Sequence, residues 1–338
     1  MVLSAASYAA AQLIPAIVHA VILPPLLAFI VSAALVALLV RGRLAGFALD
    51  RPNQRSLHTT PTPRLGGIGI VAGTATAWCY ALPAIDPLLP GALALLIGIS
   101  LLDDLKDVAI GWRLTAHLVS AALTVAAVLQ GHEPWLMLVA VIATAWMINL
   151  YNFMDGADGL AGGMAVIGFG CYGMAALAGG DFSFAATNLA VAAAALGFLL
   201  FNFPPARIFM GDIGAIPLGC LAAAFNLSGW LRGDWPFWFG VAVFSPFIAD
   251  ASVTLVKRLI RRARVWQAHK EHYYQRLVQC GWGHRKTALA EYALMLLCSG
   301  IAIIGMRTPD IQFAAPGFLV LLYAGLVAAL EHYLPAHA

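Results

Sequence analysis

Eleven apolar stretches, each on the scale of a bilayer crossing, constrain this chain's fold more than any single motif does. A spanning helix needs roughly 20 mostly apolar residues. Candidates fall near 21–40, 66–83, 88–102, 114–131, 134–150, 162–179, 184–201, 214–231, 236–256, 287–305 and 313–333. With 62% hydrophobic and 10% charged residues over 338 positions, too little polar surface exists for a soluble domain of this size. The reading is an all-α polytopic membrane protein, a bundle of ten or eleven transmembrane helices forming a single domain over residues 21–338. Residues 1–20 are an apolar prefix, set apart by Pro24-Pro25; no Lys or Arg precedes it, which makes it a poor secretory signal.

Lys and Arg set the orientation. When the chain is threaded through eleven spans, all of its 19 basic residues except Arg232 and Arg307 fall on one side. The positive-inside rule makes that side the cytoplasm and puts the N-terminus outside. The polar runs 51–64, 103–113, 149–158, 202–212 and 257–286 share this side, so function is expected at the cytoplasmic face. The five cysteines show no ligand-like spacing, and neither a disulfide frame nor a zinc site is indicated.

Ionisable and amide side chains are costly near hydrocarbon, so polar clusters at span ends are candidate sites. Asn149, Asn152, Asp155 and Asp158, in Asn-Leu-Tyr-Asn-Phe-Met-Asp-Gly-Ala-Asp-Gly, recur every third residue and on a helix would share roughly one face. Such a face can hold a cation, sugar hydroxyls or a base. Asp103-Asp104 closes the third span, with Lys106, Asp107 and Arg113 following. A solvated helix end explains this pair as well as a metal- or phosphate-handling element does. In Asn202-Phe-Pro-Pro-Ala-Arg-Ile-Phe-Met-Gly-Asp212-Ile-Gly the prolines read as an ordinary turn. Asp212 between glycines suits a hard cation such as Mg²⁺.

His269, His272 and Arg276 would lie on one helical face suited to phosphate oxygens, whereas the arginines before them are explained by headgroup contact. In the first basic loop Arg51, Arg55, His58 and Arg64 make a candidate anion contact; Pro61 and Pro63 favour an extended path, and Gly66-Gly67 permit tight packing. Gly168-Phe-Gly-Cys-Tyr-Gly173 fits a dinucleotide pattern but lies within an apolar span, where helix packing is the better reading. There is no GxxxxGK[ST] loop, and the sequon Asn226-Leu-Ser228 is buried in a span.

Taken in order, DRPNQRSLHTTPTPRLGG, DDLKD, NLYNFMDGADGLAGG, NFPPARIFMGDIG and HKEHYYQRL resemble the motifs of the polyprenyl-phosphate N-acetylhexosamine-1-phosphate transferases, over nearly all of Asp50–Trp282. That family includes the phospho-MurNAc-pentapeptide translocase and the WecA- and WbpL-type initiating enzymes. The resemblance implies a bacterial inner-membrane enzyme that moves an N-acetylated sugar 1-phosphate from a UDP-sugar to undecaprenyl phosphate, releasing UMP. It implies Mg²⁺, with Mn²⁺ as the alternative, membrane lipids around the protein, no nucleic-acid partner, and a homodimer as an open option.

Carried over by motif, Asp212 and Asn152 would hold the metal. Asn149, Asp158, Asn202 and Phe209 would line the nucleotide pocket, with Asp155 among the catalytic group. Asp103, with Asp104 beside it, would stand near the attacking lipid phosphate; Arg64 and Arg113 would contact phosphate, and His269, His272 and Arg276 would grip diphosphate or sugar. The translocase carries three consecutive histidines where this chain reads His-Lys-Glu-His. This departure brings it nearer the WbpL type, which starts O-antigen and related surface glycans with UDP-linked N-acetylfucosamine, N-acetylquinovosamine or N-acetylglucosamine. A secondary transporter is the main rival, but it predicts polar residues near mid-span. A CDP-alcohol phosphotransferase would need Ala-Arg shortly after Asp-Gly, and Asp155-Gly156 is followed by Ala157-Asp158.

Overall fold

The structure, a computed structural model, describes residues 18–42, 49–50, 52, 57, 60–106, 108–264, 267 and 269–334, with the side chains of Asp104, Leu105 and Pro309 outside that set. The expected prefix thus lies almost wholly outside the described residues, as do Arg51, Arg55 and His58 of the first loop.

Helices occupy every expected apolar stretch. After a π-helical turn at Val18–Ile22 come α1 (Leu23–Arg41), α2 (Gly67–Ala81), α3 (Leu88–Lys106), α4 (Ile110–Val128), α5 (Pro134–Phe153), α6 (Leu160–Gly179), α7 (Phe182–Asn202) and α8 (Asp212–Arg232). They are followed by α9 (Trp238–Val243), α10 (Ser245–Ile260), a short α11 (Tyr273–Leu277), α12 (Gly283–Arg307) and α13 (Ala314–Tyr333). Pro24 and Pro25 stand in the first turn of α1, where a missing N–H leaves no carbonyl unpaired. Among the described residues eight helical segments are long and apolar enough to cross a membrane, and α2 and Leu88–Asp103 are shorter apolar helices.

The single span expected over 236–256 is two helices meeting at Phe244. Pro246 has no N–H to offer Ala242. The Ser245 hydroxyl takes that carbonyl instead, at 2.6 Å, so the break leaves no orphaned acceptor.

Helices α6, α7 and α8 form the centre. In its most apolar window α8 is 83% buried against 11% for α13, which lies at the periphery. Phe169 meets Tyr172, Phe225 and Phe244 edge to face at this centre. A side chain at Gly168 would run into the Phe244 ring and one at Gly173 into Leu189, so these two of the dinucleotide-like glycines serve helix packing, whereas Gly170 faces open space.

Successive helices alternate in direction. The C-terminal ends of α3, α5 and α7 therefore meet the N-terminal ends of α4, α6, α8 and α12 at one end of the bundle, as the contacts Arg113–Asp103, Arg113–Asp212, Gly159–Asn202 and Asp158–His284 show. The first loop closes over this end as a two-residue antiparallel pair, β1 (Leu49–Asp50) and β2 (Thr62–Pro63), with Asp50 opposite Thr62. Beyond β2, Phe209 N–H donates to Pro63, and Gly66 and Gly67 N–H donate to Phe209 and Met210. A Cβ on Gly67 would collide with the Gly214 backbone, and one on Gly211, at φ 70°, with the Arg64 carbonyl. Only glycine at both places lets α2, α8 and the loop approach this closely.

Candidate active site

A cavity of about 410 Å³ opens where these helix ends converge, lined at one end by Arg64, Asn152, Asp155, Gly211 and Asp212 and at the other by Asp158, Asn202, Phe209 and His284. Arg113 stands at its charged end as a bridge. One guanidinium nitrogen lies 2.8 Å from Asp103 Oδ2 and the other 2.8 Å from Asp212 Oδ2. The second oxygen of Asp103 accepts from Val108 N–H at 2.9 Å, which pins the carboxylate at the end of α3. Asp212, the first residue of α8, also accepts from the Asn152 amide and feels the charge of Arg64.

Asp155 lies in the turn between α5 and α6. Burial pushes its carboxyl well above the ordinary carboxylate range; the charge of Asp212 adds to this, and a hydrogen bond from the Gly211 backbone opposes it. A carboxyl group whose proton affinity a neighbouring carboxylate raises is one that a bound cation would help to ionise. No group of three or more His, Cys, Asp and Glu converges into a metal cage among the described residues. Mg²⁺ needs no such cage, since it keeps waters and takes one or two carboxylates plus substrate phosphates. Asp212, Asn152 and Asp155 supply hard oxygen donors of that kind.

At the far end the polar groups are held by one another. Asn202 accepts from Gly159 N–H and donates to Ile208 C=O, both at 2.9 Å, which ties the α5–α6 turn to the loop before α8. Asp158 accepts from Ala206 N–H at 3.0 Å and lies 3.2 Å from His284 Nδ1. His284 Nε2 is 3.2 Å from the Leu57 carbonyl, so this histidine links α12, the turn and the first loop. Phe209 lends an aromatic face. Asn149, one turn up α5, pairs with His117 Nδ1 at 3.1 Å and does not line the cavity.

The expected helical face of His269, His272 and Arg276 is absent, because α11 starts only at Tyr273 and His272 is its N-cap. The two imidazoles do come together, with ring centroids 4.8 Å apart. His272 also stacks on Phe153 and Tyr274, both of which line the cavity. Burial, then the charges of His272 and Arg258, hold His269 down to about 4, so it is neutral at neutral pH. Arg276 turns away: its guanidinium meets Glu331 of α13 at 2.6 Å, beside Lys257 and the Tyr273 hydroxyl. The Asp104 side chain is outside the described residues.

Several lining residues escaped the sequence reading. Asp50, Tyr274, Gln275 and His284 all face the cavity. Asp250, on α10, holds His272. A carboxylate inside the apolar run 236–256 was a readable signal, by the same cost argument that flagged the other clusters.

Polar walls of this kind at one end of an apolar helical bundle define a membrane-embedded enzyme that handles charged groups. Residues 87–229 match the profile of glycosyl transferase family 4. The chain is 29% identical to a probable undecaprenyl-phosphate N-acetylglucosaminyl 1-phosphate transferase of Bacillus subtilis, over 76% of this chain and 77% of that protein. It is 28% identical to a decaprenyl-phosphate N-acetylglucosaminephosphotransferase of Mycolicibacterium smegmatis, over 85% and 82%. A phospho-N-acetylmuramoyl-pentapeptide-transferase of Enterococcus faecalis is 30% identical over 47% of this chain and 49% of its own. The chain is thus similar to glycosyl transferase family 4 over residues 87–229, and to its curated relatives at 28–30% identity.

Proposed function

We propose that the protein transfers an N-acetylated sugar 1-phosphate from a UDP-sugar to a polyprenyl phosphate such as undecaprenyl phosphate. An oxygen of the lipid phosphate attacks the β-phosphorus, the bond from that phosphorus to the bridging oxygen breaks, and UMP leaves with the bridging oxygen. The observation that carries this reading is Arg113 spanning Asp103 and Asp212 at the charged end of the cavity. A phosphomonoester alone carries about −1.5 to −2 charges, so the encounter of lipid phosphate and diphosphate needs fixed positive charge. Arg113 and Arg64 supply it, and Asp212, Asn152 and Asp155 would hold Mg²⁺, or Mn²⁺ in its place. Bound there, the ion would neutralise charge on the diphosphate oxygens.

Phe209 is suited to stack on uracil, and His272 to hold phosphate. The lipid phosphate, with a second pKa near 6, is already mostly dianionic at neutral pH, so Asp103 is read as orienting the acceptor rather than forming a covalent intermediate. The cavity lies at the helix ends rather than at mid-span, which speaks against a transporter. The basic end faces the bacterial cytoplasm, where nucleotide sugars are made, and the product would start O-antigen or a related surface glycan.

The test is UMP release by purified protein given Mg²⁺, undecaprenyl phosphate and a panel of UDP-N-acetyl sugars. Release with at least one donor, lost on chelation and restored by Mg²⁺, is the expected outcome. Silence with every donor in a folded preparation overturns the reading.

A further inference from the structure

We infer that Asp250 is a positioning residue that fixes the tautomer and direction of His272 for the phosphate-bearing substrate of the neighbouring cavity. The inference rests on the function proposed above.

Asp250 sits within α10 with 8% of its surface exposed, a place where a lone carboxylate is expensive. Four donors converge on it. Oδ1 accepts from Tyr273 N–H at 2.9 Å and the Thr254 hydroxyl at 3.1 Å, and Oδ2 from Tyr274 N–H at 3.0 Å. The fourth is His272 Nδ1, 3.3 Å from Oδ1. Capping the two backbone N–H groups would explain a carboxylate here on structural grounds alone. It would not explain the imidazole.

A carboxylate can only accept, so a hydrogen bond across this contact requires the proton on Nδ1 and leaves Nε2 with its lone pair. The ring plane is fixed as well. Phe153 lies near-parallel at 27° with centroids 6.2 Å apart, and Tyr274 at 17° and 5.8 Å. Both rings line the cavity, and Tyr274 is itself anchored by its hydroxyl to the Phe153 carbonyl at 2.9 Å. His272 is therefore held beside two cavity-lining rings with Asp250 on its Nδ1, so that Nε2 accepts a proton when the ring is neutral and donates to a phosphate oxygen when it is protonated. The other titratable groups close to this pair are His269, Arg258 and Glu291.

The experiment compares wild type, Asp250→Asn, His272→Ala and the double variant in UMP release, alongside NMR of ¹⁵N-histidine-labelled wild-type protein, with His272→Ala assigning the signal. Each single substitution should lower kcat/KM by ~10²-fold, the lower end of what a positioned acid–base group contributes. The double variant should fall no further than His272→Ala. In the neutral ring of the wild type the Nδ1-protonated tautomer should dominate. Losses that add in the double variant, or an Nε2-protonated ring, overturn the inference. If no donor yields UMP the proposed reaction fails, and the tautomer still decides the role of Asp250. If Asp250→Asn does not fold, the wild-type spectrum decides alone.

Discussion

Arg113 does at one residue part of what a metal does elsewhere, since its fork pairs with Asp103 and Asp212 at once. Replacing it by Met should have two opposed effects. Turnover should fall by roughly 10²–10³, the cost of removing one preorganised charge from a transition state. Binding of Mn²⁺, followed by its paramagnetic signal, should tighten because two carboxylates lose their counter-charge. Weaker Mn²⁺ binding would show that Arg113 organises the metal site rather than competing for it. Asp155 is the converse case. Its raised proton affinity means that ionising it costs stability in the absence of a cation, and that cost appears as pH rises through its folded value. Asp155→Asn removes the cost, so in chelator its Tm should rise by about 1–2 °C, the shift expected for ~1 kcal/mol in a chain of this size; a lower Tm would refute the argument. His269 has the other sign. Its value of about 4 lies below the ordinary ~6.5, so between those limits the unfolded chain holds a proton the folded chain lacks. Stability should therefore drop as pH falls from ~6.5 to ~4. His269→Gln should flatten that slope in thermal melts taken across the window.

At the scale of elements, the approach of α2 to α8 decides where Asp212 sits. Gly67 and Gly214 face each other backbone to backbone, directly beside the hydrogen bonds that carry Gly66 and Gly67 onto Phe209 and Met210. Gly67→Ala should force the helices apart, at about 1–3 kcal/mol of overpacking, and should move Phe209 and Asp212 with them. Reduced thermal stability together with a higher KM for the UDP-sugar is expected; a normal KM would detach this crossing from the pocket. The close packing at Gly66-Gly67 was legible in the sequence because glycine has one use at such a site. The single helical face for Asn149, Asn152, Asp155 and Asp158 was not. The helix α5 ends at Phe153 and the chain turns through Gly159 at φ 77°, which sets Asn149 against His117 while its companions line the cavity. Residues 269–276 failed for the same reason, since three-residue spacing says nothing about whether the helix has begun. Apolar length located every long helix, yet missed the short α11 and hid the break at Phe244, where one proline and one serine hydroxyl rearrange the hydrogen bonds inside an unbroken hydrophobic run.

At the scale of the whole molecule, charge and site geometry agree on which end is functional. Arg232 pairs with Asp181 at the end of α8 opposite the cavity, and Arg307 ends α12 there. Arg64, Arg113, Lys257, Arg258 and Arg285 stand at the cavity end, with Asp103, Asp155, Asp158 and Asp212 among them. A donor charged as a nucleotide diphosphate cannot cross the bilayer unaided, so an enzyme using it must open to the compartment that makes it. The same asymmetry of Lys and Arg orients the chain during insertion. Under the proposed function, two independent requirements therefore point the cavity toward the cytoplasm. Cys280, exposed just after α11, reports on that side. Exposed Asp310, between α12 and α13, reports on the other. A membrane-impermeant maleimide applied to intact spheroplasts should label an Asp310→Cys variant and leave Cys280 unlabelled until the membrane is opened. Labelling of Cys280 in sealed spheroplasts would invert the orientation and leave the cavity facing a compartment without donor.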